Sequence, residues 1–127
     1  MGDVRQRRVL VVDDEAAVRK TVVMVLQLDG HLVEVADSGE SAMALFKPGK
    51  FDLVITDFFM EGMNGAQLAA AIKAIDLTQP IVMMSAYADI LGTKAQPLTG
   101  VDFLLNKPFL VEELRQAVAT MGRTAAV

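Results

Sequence analysis

An α/β fold, a doubly wound five-stranded parallel sheet covered by helices on both faces, is predicted by three features of this 127-residue sequence. Short continuous apolar runs alternate with segments of helical periodicity. The runs end abruptly in, or are followed by, polar residues: Asp13-Asp14, Asp57, Ser85 and Lys107. No internal repeat, low-complexity tract or linker divides the chain, so one domain with a core of about residues 7–121 is expected. Parallel strands need crossovers, and right-handed crossovers place helices on the two sides of the sheet.

The elements follow in order. Val9-Leu10-Val11-Val12 is rich in β-branched residues and stops at two aspartates, as a strand buried on both faces does. From Asp14 onward Val18, Val22, Val25 and Leu26 recur at helical spacing until Gly30. His31 to Ala36 reads as the second strand, and Ser38 opens a short helix through Ser41, Ala42, Ala44, Leu45 and Phe46 that stops before Pro48-Gly49. Phe51 to Thr56 is the third strand, and Asn64 to Ile75 a helix with Ala66, Leu68, Ala69 and Ile72 inward. Gln79-Pro80 introduces the fourth strand, Ile81 to Met84. A weak helix between Tyr87 and Gln96 ends at Pro97, and a fifth strand spans Val101 to Leu105. The last helix, Val111 to Met121, carries Leu114, Ala117, Val118 and Met121 at helical spacing before Gly122.

Composition removes several functions. A net charge of −4 gives no general basic field for nucleic acid, and the cluster Arg5, Arg7 and Arg8 is expected to be a solvated lead-in. Without cysteine there is no disulfide, thiolate metal site or thiol redox chemistry, which suits an intracellular, cytoplasmic protein. No apolar stretch approaches the ~20 residues that span a bilayer, and the arginine-containing start is not a signal peptide. His31, at the start of a strand, is expected to be structural rather than a phosphohistidine. The eight methionines are expected to be packing filler.

Doubly wound sheets bind ligands beyond the carboxyl ends of their strands, where strand order reverses. Asp13, Asp14, Asp57, Ser85 and Lys107 all fall at that end. Two unit charges ~4 Å apart repel by about 4 kcal/mol at an effective dielectric near 20. Three carboxylates in one cleft therefore require a positive partner. Oxygen ligands without nearby His or Cys suit a hard, partly hydrated cation, Mg2+ best, and Lys107 offers a second counter-charge. Taken singly, Asp13 or Asp14 reads as a helix cap, Ser85 as a hydroxyl bonded to backbone, and Lys107 as a solvated lysine before Pro108. Joint placement at one end of one sheet is what makes them a candidate site. No Gly-rich phosphate cradle follows the first strand, which disfavours a dinucleotide or P-loop site.

Val11-Val12-Asp13-Asp14-Glu15, then Asp57 with Met60, Met63 and Gly65, then Ser85-Ala86, then Lys107-Pro108-Phe109 resemble, in order and spacing, the receiver domain of two-component response regulators. The resemblance covers nearly the whole chain and implies a flavodoxin-like (βα)5 sheet of strand order 2-1-3-4-5. It implies that Asp57 accepts a phosphoryl group from a histidine kinase or a histidine phosphotransfer protein. Asp14, Asp57 and the backbone carbonyl of Phe59 would bind Mg2+ (or Mn2+), with Asp13 acting through a metal-bound water. Lys107 would pair with Asp57 and then with a phosphoryl oxygen. Ser85 would move toward the phosphate and couple it to the face formed by the fifth strand and the helices flanking it. Ala86 matters through smallness beside the incoming donor, and Phe59 and Tyr87 would flank the path of hydrolytic water. Expected partners are that phosphodonor and a downstream protein, with no nucleic acid or membrane, and the domain would be a monomer or weak dimer. It would switch or relay a phosphoryl group without turning over an external substrate.

Two positions depart from the family's pattern. Glu61 stands where most receivers carry Pro, which predicts a more mobile loop or weaker metal binding. Leu104 replaces the aromatic that usually reports the switch, and Phe103, one residue earlier, points to the other side of the strand. The segments Ser85-Ala86-Tyr87 and Val101 to Phe109 look more like receivers of hybrid histidine kinases than free-standing ones. Rival readings are a receiver-like interaction module without phosphorylation and an Mg2+-dependent phosphohydrolase. The latter would want a general acid where Phe59 stands.

Overall fold

The computed structural model describes residues 6–86 and 100–121. Its strands are β1 (Arg8–Val12), β2 (Leu32–Ala36), β3 (Leu53–Asp57), β4 (Ile81–Ser85) and β5 (Phe103–Asn106). Its helices are α1 (Ala16–Leu28), α2 (Gly39–Leu45), α3 (Gly65–Ile75) and α4 (Val111–Met121). All pairings are parallel, in the order β2-β1-β3-β4-β5. The helix predicted between Tyr87 and Gln96 lies outside the described residues.

Alternation along the strands sorts the core into two layers. Val9, Val11, Leu53, Ile55, Val82, Met84 and Leu105 pack against Val22, Val25 and Leu26 of α1 and Leu114, Ala117 and Val118 of α4. Leu10, Val12, Val54 and Ile81 point the other way, onto Ala42 of α2, Phe46, and Leu68, Ala69 and Ile72 of α3. Both faces of the three central strands are buried because, among the described residues, each face is covered by its own pair of helices. Each fully buried Leu, Ile or Val contributes roughly 1.5–3 kcal/mol relative to exposure, so the apolar runs that mark the strands also supply the core.

The uniform burial expected of all five strands holds only for the three central ones. β2 and β5 are sheet edges, and Leu32, Val35 and Phe103 are substantially exposed there. β3 begins at Leu53 rather than Phe51, because Asp52 turns its carboxylate onto the Arg8 backbone N–H (2.8 Å) and guanidinium (3.0 Å). β5 begins at Phe103 rather than Val101, with Asp102 accepting from Lys73 Nζ and the Ile81 N–H, both at 2.8 Å.

The basic lead-in is also corrected. Arg7 is buried, its backbone N–H donates to His31 Nδ1 (3.0 Å) and its guanidinium to the Ala119 carbonyl (3.0 Å), while Arg8 pairs with Asp52 at 3.0 Å. Arg7 is built into the fold rather than solvated, Arg8 keeps about half of its side chain in solvent while paired, and Arg5 lies outside the described residues. Ser38 and Asn64 cap α2 and α3 through reciprocal bonds with Ser41 and Gln67. Neither Asp13 nor Asp14 caps α1, whose N-cap is Glu15 without a side-chain bond. No described helix is long and apolar enough to cross a membrane.

Candidate functional site

The topology creates the cleft. β1 feeds α1 on one face and β3 feeds α3 on the other, so the chain leaves two adjacent strands in opposite directions. The carboxyl ends of β1 and β3 therefore open a crevice at the reversal of strand order. Asp13 and Asp14 leave β1 there, and Asp57 is the last residue of β3 itself, in register with Met84 of β4. Behind Asp57 the backbone is closely packed. A Cβ on Gly65 would collide with the Asp57 carbonyl oxygen, and the Gly65 N–H donates to the Phe58 carbonyl at 2.8 Å. Gly65 is thus required by a close approach of backbone to backbone.

Carboxylate oxygens of Asp13, Asp14 and Asp57 lie within 4.8 Å of one another. Asp13 is fully buried and Asp57 buried, whereas Asp14 faces solvent. Asp13 Oδ1 accepts the Glu15 N–H at 2.9 Å, so this carboxylate turns the chain out of β1. Its Oδ2 is buried and without a hydrogen bond among the described residues, facing the Lys107 ammonium across 3.6 Å. Burial first, then the charges of Asp57 and Asp14, raise the Asp13 pKa, against the opposing Glu15 N–H and Lys107.

Lys107 Nζ reaches Asp57 Oδ1 at 2.8 Å. Burial works against its charge, but the bond to Asp57 and the charges of Asp57, Asp13 and Glu15 outweigh it and raise its pKa. Lys107 therefore stays a cation. It is anchored by its backbone N–H on the Ser85 carbonyl (3.0 Å) and precedes a cis bond to Pro108. Ser85, almost fully buried at the end of β4, stands in register with Asn106, one residue before that lysine.

The remaining predicted residues are placed as follows. Phe59 is 56% exposed and meets Phe58 edge-on at 4.7 Å between centroids. Ala86 is exposed and, with Ala17, Val18, Thr21, Val22, Lys107, Pro108 and Phe109, lines an open cleft of about 450 Å3. Tyr87 lies outside the described residues. Leu104 stands opposite Met83 of β4, and Phe103 is on the other face of β5 with Leu105, as expected. The loop that carries Glu61 is hydrogen-bonded at two points. The Glu61 N–H, which a proline would lack, points to Asp14 Oδ2 (3.4 Å), and the Met63 N–H donates to Glu40 (3.2 Å). Sequence reasoning missed Glu40, and also Arg19, whose guanidinium donates to the Asp13 carbonyl at 2.7 Å.

Three acidic oxygens and one fixed ammonium form a hard-donor set short of positive charge, and the unbonded, buried Asp13 Oδ2 is what such a site leaves for a cation or its water. The residues fit Mg2+.

Comparison with known proteins agrees. Residues 9–119 match the response regulator receiver domain model. The probable transcriptional regulator ycf27 of Guillardia theta is 34% identical over 94% of this chain and 47% of its own length. The DNA-binding response regulator MtrA of Mycobacterium tuberculosis is 33% identical over 88% of this chain and 49% of its own. The chain thus spans about half the length of the curated relatives it matches. Among solved structures, the response regulator TrrA of Thermotoga maritima, in complex with Mg2+-BeF, superposes with a TM-score of 0.82 at 31% identity, covering 91% of this chain and 99% of that one. Fold, site and similarity converge, and the chain belongs to the response regulator receiver domain family, the phosphoacceptor signalling modules of two-component systems.

Proposed function

We propose that Asp57 is the phosphoacceptor and that the chain receives its phosphoryl group from a histidine kinase or a histidine phosphotransfer protein. The carrying observation is the pairing of Asp57 with a buried-side lysine and two further aspartates at the strand-order reversal. One carboxylate oxygen of Asp57 forms a bond to phosphorus as the bond from phosphorus to the donor's imidazole nitrogen breaks, and the imidazole leaves neutral after taking up a proton. Lys107, held beside Asp57, follows the charge onto a phosphoryl oxygen. Ser85 is the switch hydroxyl that bonds the phosphate and passes its position to β5 and its flanking helices. Leu104 leaves that transmission to loop and helix shifts.

Asp14, Asp57 and the Phe59 carbonyl would hold Mg2+ or Mn2+, with Asp13 acting through water. The bound cation supplies the positive charge that offsets charge developing during transfer. The complex of the similar TrrA structure with Mg2+-BeF supports this reading. The cleft lined by Val18, Val22, Pro108 and Phe109 beside Lys107 suits an apolar side chain of the donor, with Ala86 leaving the approach open. Phe59 shields the acyl phosphate from water, and Tyr87 is proposed to help. The net charge of −4 favours protein partners over nucleic acid for this domain, acting as a cytoplasmic monomer or weak dimer.

The chain turns over no external substrate in this reading, because the place two residues after Asp57, where a phosphohydrolase of this type would carry a general acid, holds Phe59. Incubation with acetyl phosphate and Mg2+ tests the proposal. About one phosphoryl group per chain is expected, followed by slow release. Continuous phosphate release would indicate a hydrolase, and no incorporation an interaction module.

A further inference from the structure

The segment between β3 and α3 follows directly on Asp57 and carries Phe59. It contains Glu61 and Gly62 in succession, and Gly62 takes a positive φ of 78°. A backbone this permissive needs an external hold if it is to present a fixed geometry. That hold comes from the first turn of α2. Glu40 Oε2 accepts the Met63 N–H at 3.2 Å. A Cβ on Gly62 would come to 3.1 Å from the same oxygen, so the Glu40 carboxylate lies directly against the loop backbone. One residue earlier, a Cβ on Gly39 would sit 2.8 Å from the Met63 side chain, which leaves the two segments no room to separate by a spacer. Met60 and Met63 anchor the same loop into the core layer that contains Ala42 of α2.

We propose that Glu40 is a positioning residue for the phosphoacceptor loop, which it straps to α2 through the Met63 N–H; this role rests on the reading of the Asp57 centre given above. At 3.2 Å the bond is longer than the strongest charge-assisted ones, so the hold rests on the acceptor oxygen and its position rather than on the charge. An acidic residue in a first helical turn also favours the helix dipole, and that effect alone would stabilise α2 without touching the loop. The two roles separate experimentally, because a glutamine at the same place keeps an oxygen acceptor but loses the charge.

Amide hydrogen exchange of the full 127-residue chain without metal, followed by Mg2+ titration, is to be compared for wild type, Glu40→Ala and Glu40→Gln. In Glu40→Ala the Met63 amide is expected to exchange about fivefold faster and Mg2+ affinity to fall by about the same factor, the equivalent of one hydrogen bond. Glu40→Gln should stay within about twofold of wild type in both readouts. Unchanged Met63 exchange in Glu40→Ala overturns the strap. Faster exchange with unaltered Mg2+ affinity overturns the positioning role, as does a Glu40→Gln variant as impaired as the alanine. A wild-type chain that binds no Mg2+ would instead remove the reading of the Asp57 centre on which the role stands, and the metal-free exchange data show which of the two has failed.

Discussion

At the amino end of the sheet, charges are matched. Arg8 meets Asp52 at 3.0 Å, Lys73 meets Asp102 at 2.8 Å, and the His31 imidazole accepts the Arg7 N–H at 3.0 Å. At the carboxyl end, about a strand's length away, Asp13 and Asp57 share the Lys107 ammonium, Asp14 lies beside them facing solvent, and a buried oxygen of Asp13 has no hydrogen bond among the described residues. The first end is closed by bonds within the chain, whereas the second, in the reading proposed above, keeps an acidic oxygen for a bound cation. Native structures rarely leave a buried polar atom unpaired, and such atoms concentrate where function requires them. On that reading the contrast separates residues that hold the fold from residues proposed to do its chemistry.

Removing charge from the unfinished end should cost function and spare stability. Asp13→Asn is expected to weaken Mg2+ binding more than about tenfold while raising unfolding free energy by about 1 kcal/mol, because a buried carboxylate repelled by its neighbours is replaced by a neutral amide. Calorimetric titration and urea unfolding measure the two, and a destabilised variant with normal Mg2+ binding would place Asp13 among the structural residues. The opposite behaviour is expected of the finished end. Asp52→Ala should lower stability by about 1.5 kcal/mol, a value moderated by the half-exposed Arg8 side chain, with phosphorylation of the folded protein unchanged. Slower labelling of fully folded Asp52→Ala protein would break the distinction.

Smaller effects sharpen it further. Phe59, exposed two residues after Asp57, is expected to slow hydrolysis of the acyl phosphate, so Phe59→Asn should shorten its lifetime about threefold, an effect below about 1 kcal/mol on the barrier. An equal decay rate in the two proteins would remove that role. The smallest change concerns His31. Burial first, with Arg7 acting the same way and Asp29 opposing, holds its pKa below the usual 6.5. The unfolded chain then takes up the proton before the folded one, so the stability owed to neutral His31 is complete above that value, declines as pH falls through it, and levels off below the folded-state pKa. Unfolding midpoints should drop with acidification in this window for wild type and stay flatter for His31→Gln. Parallel profiles would show that His31 does not titrate differently on folding.

Much of the fold was legible because strands buried on both faces are written as unbroken apolar runs. Val9 to Val12 and Ile81 to Met84 sit where the sequence places them. The site was legible for a related reason, since Asp13, Asp57 and Ser85 each end or directly follow a strand, and adjacent parallel strands bring their ends together. Contacts between residues remote in sequence were not legible. Arg7 looked like part of a solvated lead-in because its partners, His31 and the Ala119 carbonyl, are 24 and 112 residues away. Asp52 looked like part of a strand because its bond to Arg8 is visible only when β1 and β3 are side by side. Glu40 gave no signal at all, as nothing in a first-turn glutamate indicates that Met63, on another segment, will reach it.

Asp57, in the proposed reading, is the one residue that carries the phosphoryl group, and it does so with help from a cation. After incubation with acetyl phosphate, trapping of the acyl phosphate by borohydride reduction and peptide mapping locates the modified residue. Modification at Asp57, absent when Mg2+ is chelated, is the predicted result. Modification at Asp13 or Asp14 instead, or at Asp57 to the same extent without a divalent cation, would contradict it.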